Sequence, residues 1–359
     1  MNKVDSASSG LAISGWAVTS PYGIGRSVFS EGLAAGRGTE RAIEQGQGPA
    51  GTACLVPDFD SRAVLGKKGT RMMNRVTGMA VSTIGDLLRE LGSDRLDPDT
   101  TGLVVGTTVG SAQSTIDFTR GSLTGERPFH VEPGLIPYAV MNGAAGQCAI
   151  WHGVKGPNAT LAAGRSAGLL ALNYARRLLL TRRAGTVLCG AAEEYSVARA
   201  WISEHSAGTD APGAVLGEGC AMFALTADPT DEPPLATLLA VKATTCSDGD
   251  WYTTVRRCVE QATAAAGVRP SDVWMASPSG AAGPAGHAER AALGDLFDLG
   301  DRLVCVTELI GETHAASGAL QLAAVLSLAE QNPESAELPA VVTSIDESGT
   351  VVACLVRLG

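Results

Sequence analysis

Buried-strand and helix patterns alternate along most of the chain. Uninterrupted apolar runs predict strands at Leu11–Val18, Gly102–Thr108, Ala159–Ala163 and Thr186–Ala191, and the third lacks any polar alternation, as a buried strand would. Apolar residues at helical spacing predict helices within Lys67–Leu91 and over Leu169–Thr181. Gly110–Leu123 reads as helix or loop, and Gly36–Gly51 and Gly125–Pro137 read as surface loops. The apolar segment Leu216–Leu225 closes this first half. Thr226–Pro234 is polar and proline-rich, the composition of a linker. Beyond it the alternation restarts, with strands at Leu235–Val241, Val273–Ala276, Leu303–Thr307, Ala340–Ile345 and Val351–Val356. Helices are predicted near Thr253–Gly267, Gly286–Phe297 and Ala315–Glu330. The pattern is that of an α/β chain with two related halves, residues 1–228 and 229–359.

Between the strand at Ala159–Ala163 and the helix at Leu169–Thr181 lies Gly164-Arg165-Ser166-Ala167-Gly168. Its small residues permit a tight elbow that points one side chain into a site beside a helix N-terminus. The segment also satisfies G-x-S-x-G, a weak signal for a nucleophilic Ser166 in so Gly- and Ala-rich a chain. Composition narrows the classes. With 45% hydrophobic and 18% charged residues, the 359-residue chain is expected to fold around a large core. Its net charge of −10 argues against nucleic acid or an anionic membrane as a main partner. The eight cysteines form no C-x-x-C pair, and His130, His152 and His205 have no metal spacing, so no metal or cofactor is implied. No leader-like or eighteen-residue apolar run is present, which makes a soluble cytoplasmic protein the expectation.

The spacing Asn142-x-x-Ala145-Gly146, Gly153-x-x-Gly156-Pro157 and Ser166-Ala167-Gly168 resembles the β-ketoacyl synthases of fatty-acid and polyketide assembly. Thr19–Gly25, Arg71–Arg75, Leu216–Leu225 and Gly311–Ala319 extend the resemblance along nearly the whole chain. It implies a thiolase-like fold, two related βα halves in a five-layered α-β-α-β-α arrangement. It also implies where the condensation chemistry would sit. Arg165 stands in the place of the family's nucleophilic cysteine, Ser279 and Glu312 in the places of its two histidines, and Thr307 in that of its lysine. Asp346-Glu347-Ser348-Gly349 replaces the Gly-Phe-Gly-Gly loop.

Opposite charges at positions that touch in the family are expected to pair, Arg165 with Glu312, with Ser279 able to accept from Arg165. His314 is expected to have a surface or capping role, and His287 to open the helix that follows it. A retired site on this fold resembles the chain-length factor, the β subunit of type II polyketide synthases. The shorter length and small residues point to its polyene-forming branch. That implies a heterodimer with a ketosynthase α subunit, and through it contact with an acyl carrier protein. Ala112, Thr115 and Thr119 would then face the tunnel as a chain-length gate. Two other readings stay open: an acyl hydrolase or acyltransferase using Ser166, and a purely structural ketosynthase partner.

Overall fold

The computed structural model describes residues 10–92, 96–206, 214–227 and 233–359. The first half runs β1 (Leu11–Ser20), β2 (Gly23–Ile24), α1 (Arg26–Ala34), β3 (Arg41–Ala42), β4 (Thr52–Ala53), α2 (Ser61–Leu65) and α3 (Arg75–Leu91). It continues through β5 (Thr101–Thr107), α4 (Ala112–Thr124), α5 (Ile136–Ala139), α6 (Gly143–His152) and β6 (Asn158–Ala162). α7 (Ala167–Leu180), β7 (Thr186–Glu193), α8 (Val197–Ser206) and β8 (Gly219–Thr226) complete it. The second half contains β9 (Ala236–Thr245), α9 (Trp251–Ala266), β10 (Met275–Ser277), α10 (Gly283–Leu296), α11 (Thr307–Ile310), α12 (Ser317–Glu330), β11 (Pro339–Ile345) and β12 (Thr350–Leu358).

Strand pairing shows the two halves to be the same unit twice. In the first, the order is β6-β5-β7-β8-β1, with β5 parallel to β6 and β7, and β8 antiparallel to β7 and β1. In the second, β10-β11-β12-β9 repeats the sense of pairing, parallel at β10–β11 and antiparallel at β11–β12 and β12–β9. The place that β6 fills in the first half is reduced to one parallel bridge between Ala276 and Leu303. The expected strand at Leu303–Thr307 is therefore a correction: after Val304 donates its N–H to Ala276, the chain turns into α11.

Five layers result. α7 packs on β5 and β7 and also reaches β9 and β12, while α12 packs on β11 and β10 and reaches β8 and β1, so both helices lie between the half-sheets. Their contact is close: a Cβ on Gly168 would stand 2.8 Å from the Ala319 nitrogen, and one on Gly318 2.7 Å from Leu169. Small residues there let two backbones approach that side chains would hold apart. Leu169, Leu172, Leu320 and Leu322 fill the remaining space, fully buried. α3 and α6 cover one outer face through Met79, Ile84, Leu87 and Cys148, and α9 and α10 cover the other through Val255, Val259 and Leu293.

The Ala159–Ala163 run corrects a second expectation. Among the described residues β6 pairs only with β5, which makes it an edge strand, and its residues are half-buried or exposed. Residues 228–232, which contain the expected boundary between the halves and most of the Thr226–Pro234 linker, lie outside the described residues. No helix among the described residues is long and apolar enough to cross a membrane.

Candidate functional site: a buried ion pair at the strand-to-helix elbow

β6 passes into α7 through a short 3-10 turn, Gly164–Ser166. Gly164 has φ +50°, and a Cβ there would lie 1.9 Å from Asp346 Oδ1, so only glycine fits. That carboxylate oxygen accepts the Arg165 backbone N–H at 2.8 Å. Asp346 Oδ2 accepts from the Ser348 N–H and hydroxyl at 3.0 and 2.6 Å. The altered loop after β11 is thus clamped onto the elbow.

The Arg165 side chain is 7% exposed and that of Glu312 5%. Arg165 Nε and Nη2 donate to Glu312 Oε2 at 3.1 and 2.5 Å, and Nη1 donates to the Ile345 carbonyl at 3.2 Å. Glu312 Oε1 accepts the His314 N–H at 2.7 Å. Its backbone is fixed as well, since its N–H donates to Val215 and its carbonyl accepts from Gly217 and from Arg199 Nη2. Burial alone would push the Glu312 carboxyl up; the Arg165 charge, with the bonds from Arg165 and His314, outweighs it and holds the carboxyl below its usual range. Burial likewise opposes the guanidinium charge, and Glu312 outweighs that too.

Ser279 does not join this pair. It is fully buried, and its hydroxyl and N–H both donate to Glu289 at 2.5 to 3.1 Å. Glu289, on α10, also accepts from Thr343 Oγ1 at 2.6 Å. Burial raises the Glu289 carboxyl despite these bonds. The expectation that Ser279 accepts from Arg165 fails because a closer acid takes its hydroxyl proton, while Ile345 offers the guanidinium a carbonyl. Thr307 Oγ1 donates to the Ser279 carbonyl at 3.1 Å.

A cavity of about 650 Å³ opens beside the pair and is lined by Thr108, Ala112, Glu193, Glu312, His314 and Asp346 among others. Ala112 is the first residue of α4 and 9% exposed. Thr115 and Thr119 lie on the exposed side of that helix, outside the cavity, where Thr115 Oγ1 donates to Ala139 and Thr119 Oγ1 to Thr115. His314 is half-buried with φ +46°, and its Nδ1 stands 3.5 Å from Thr108 Oγ1. Thr108 in turn hydrogen-bonds Glu193. His287 lies inside α10 rather than at its start. His152 bonds the Val81 carbonyl and His205 that of Trp201, and His130 is exposed. No metal-ligand cluster is present among the described residues.

The Ser166 hydroxyl is fully buried and hydrogen-bonds the Ser344 hydroxyl at 3.3 Å, and Ser166 is not among the residues that line the cavity. Because the Ser166 hydroxyl is fully buried and bonded to another hydroxyl, Ser166→Ala is expected to cost about 0.5–1.5 kcal/mol of stability. It should leave any acyl-ester turnover of the preparation unchanged; loss of turnover would restore the hydrolase reading.

Glu194 directly follows β7 and carries no motif that marks it in the sequence. It accepts Ser111 Oγ at 2.6 Å and the Val76 N–H at 3.0 Å, and so holds the N-termini of α4 and α3. Burial pushes its carboxyl up to about 7; the bonds from Ser111 and Val76 oppose this, and the Glu193 and Glu218 charges add to it. A carboxyl raised on folding binds its proton more tightly in the folded state, so stability falls as pH rises from the unfolded value through about 7. Glu194→Gln is expected to remove that decline, on the order of 3 kcal/mol, and to raise Tm at pH 8 more than at pH 5.

Residues 9–230 match the family model of the β-ketoacyl synthase N-terminal domain. The chain belongs to the β-ketoacyl synthase family. A solved chain of the ishigamide ketosynthase/chain length factor is 42% identical, with a TM-score of 0.92 over 97% of this chain and 99% of that one. The tetracenomycin polyketide synthase ketoacyl synthase alpha subunit of Streptomyces glaucescens is 28% identical over 60% of this chain and 58% of its own length. The 3-oxoacyl-acyl-carrier-protein synthase 2 of Rhizobium meliloti is 25% identical over the same shares. The chain therefore spans a little over half the length of these two curated relatives. A β-ketoacyl synthase from Burkholderia phymatum, at 18% identity and a TM-score of 0.82, shares the fold.

Within the β-ketoacyl synthase frame, the ion pair stands where the resemblance places nucleophile and second histidine. A backbone N–H at such an elbow is also the kind of donor that can stabilise an oxyanion. Here Asp346 already occupies it.

Proposed function

We propose that this chain is a non-catalytic, chain-length-determining subunit that pairs with an active β-ketoacyl synthase and forms part of its polyketide tunnel. The observation that carries the reading is the Arg165–Glu312 pair. Acyl transfer through a ketosynthase needs a nucleophile that becomes acylated and a group that stabilises the oxyanion. At this elbow a guanidinium is bound to a carboxylate, and the adjacent N–H is bound to a second carboxylate. A guanidinium is not a nucleophile, and both oxygens of the Glu312 carboxylate are already bonded, Oε2 to Arg165 and Oε1 to the His314 N–H. The likeness to the ishigamide ketosynthase/chain length factor supports the same assignment.

Partner binding is supported by the surface of α4, α5 and α6, the last of which packs beside the edge strand β6. Leu123, Phe129, Ile136, Val140, Met141 and Ile150, from α4 to α6, are all large, apolar and exposed. A monomer rarely leaves so much apolar surface on adjacent elements uncovered. The occupant proposed is a ketosynthase α subunit, and the complex would then receive the growing chain from an acyl carrier protein. Coexpression with such a subunit, followed by native mass measurement, should give a one-to-one heterodimer. A stable homodimer that ignores the ketosynthase would overturn the reading.

A further inference from the structure

α7 ends, far from the elbow, in a cluster of arginines. Arg176, Arg177, Arg182 and Arg183 fall within eight positions, with no acid among them, in a chain of net charge −10. Arg177, Arg182 and Arg183 are exposed, and so is Leu180 between them. α7 has 14 residues, which puts this end about 21 Å from the elbow. None of the four arginines forms an ion pair among the described residues, and Arg177 lies over the Tyr174 ring. The Gly185 N–H donates to Thr100, which brings the acids before β5 close by, but these are engaged. Asp97 accepts from the Asp99 N–H and the Thr100 hydroxyl, and Asp99 pairs with Lys155.

The turn that displays these side chains is a strained one. Arg182 and Arg183 donate their N–H groups back to the Leu179 and Leu178 carbonyls at 2.9 and 2.8 Å. In this helix-ending closure the first of the two residues is usually glycine. Arg182 adopts φ +53° there, a conformation that a side chain disfavours. The helix dipole favours cations near a C-terminus, but that attraction does not call for arginine at the strained position. We infer that this end of α7 is a docking surface for an acidic segment of a partner protein, whatever the chain's part in setting product length. Guanidinium groups match carboxylates two bonds at a time, and Leu180 offers an apolar contact between them. A membrane plane or a nucleic acid would press an extended polyanion against the rest of an acidic chain, whereas a short acidic segment meets only the patch.

The test titrates the full chain, and separately its complex with a ketosynthase α subunit, into a fluorescent alanine-based helical peptide bearing regularly spaced glutamates. Fluorescence anisotropy should show saturable binding that weakens at high salt and is absent with the glutamine analogue of the peptide. Arg177→Gln combined with Arg183→Gln should weaken binding on the order of tenfold, since exposed pairs contribute modestly one by one. Arg182→Gly should weaken binding and yet raise Tm, because glycine relieves the turn; an arginine with only a structural role would change Tm alone. Wild-type affinity in these variants, or equal binding of the glutamine peptide, would overturn the inference. So would tighter binding to phosphatidylglycerol vesicles or duplex DNA than to the glutamate peptide. Peptide binding by the chain that is lost in the ketosynthase complex would overturn it too, because the patch would then belong to that interface.

Discussion

Glu312→Ala is expected to destabilise the chain by about 3–5 kcal/mol, because it leaves the buried Arg165 guanidinium without its counter-ion. The loss is larger than that of an exposed ion pair, worth about 0–1 kcal/mol, since water cannot replace the missing carboxylate. It also removes the acceptor for the His314 N–H, in a residue already held at φ +46°. The paired replacement Arg165→Met with Glu312→Leu should behave differently. Removing both charges leaves no stranded ion, so that variant is expected to be neutral or more stable, by up to about 4 kcal/mol. Chemical denaturation of the three proteins checks both statements. A Glu312→Ala variant within about 1 kcal/mol of the parent would mean that Arg165 finds solvent or another acid.

The same pair predicts an acid limb. Glu312 and Asp346 both have carboxyls held below their usual range, Glu312 mainly by Arg165 against burial, and Asp346 by bonds from Ser348 and Arg165, again against burial. For such groups the stabilisation is fully present above the unfolded carboxyl value. It is lost as pH falls through the folded one. The Arg165→Met, Glu312→Leu variant should lose less stability between pH 5 and pH 3 than the parent.

Ala112→Phe is expected to have the largest effect on function, shortening the product made by the complex. Ala112 is the one gate candidate among the three that both begins α4 and lines the cavity. A phenyl ring there would occupy space that the methyl leaves open, at the point where α4 meets the cavity wall. Thr115→Phe and Thr119→Phe would instead enlarge the exposed face of α4, outside the cavity. An unchanged product from an intact Ala112→Phe complex would favour a purely structural role for this chain.

The duplicated architecture was legible because buried strands and central helices are written locally, as apolar runs and small residues. Gly164–Gly168 announced the elbow, and the family resemblance, by setting positions 165 and 312 face to face, announced an ion pair. What escaped depends on neighbours distant in sequence. The apolar run at Ala159–Ala163 gives no sign that β6 lacks a strand on one side. Leu303–Thr307 looks like a strand because its residues are apolar, yet only Leu303 finds a bridge. Asp346 reaches the elbow N–H from 181 residues away, and Ser279, though only 10 residues from Glu289, meets it because the chain turns back into α10. Neither contact leaves a trace in spacing.

The central claim is that this chain shapes a product whose bonds are made elsewhere. It is tested most directly by supplying malonyl-loaded carrier protein to this chain alone, to a ketosynthase α subunit alone, and to both together, and measuring condensation. The account predicts no condensation by this chain alone and full-length product only from the pair. Condensation by this chain alone, or the same full-length product from the α subunit without it, would contradict the account.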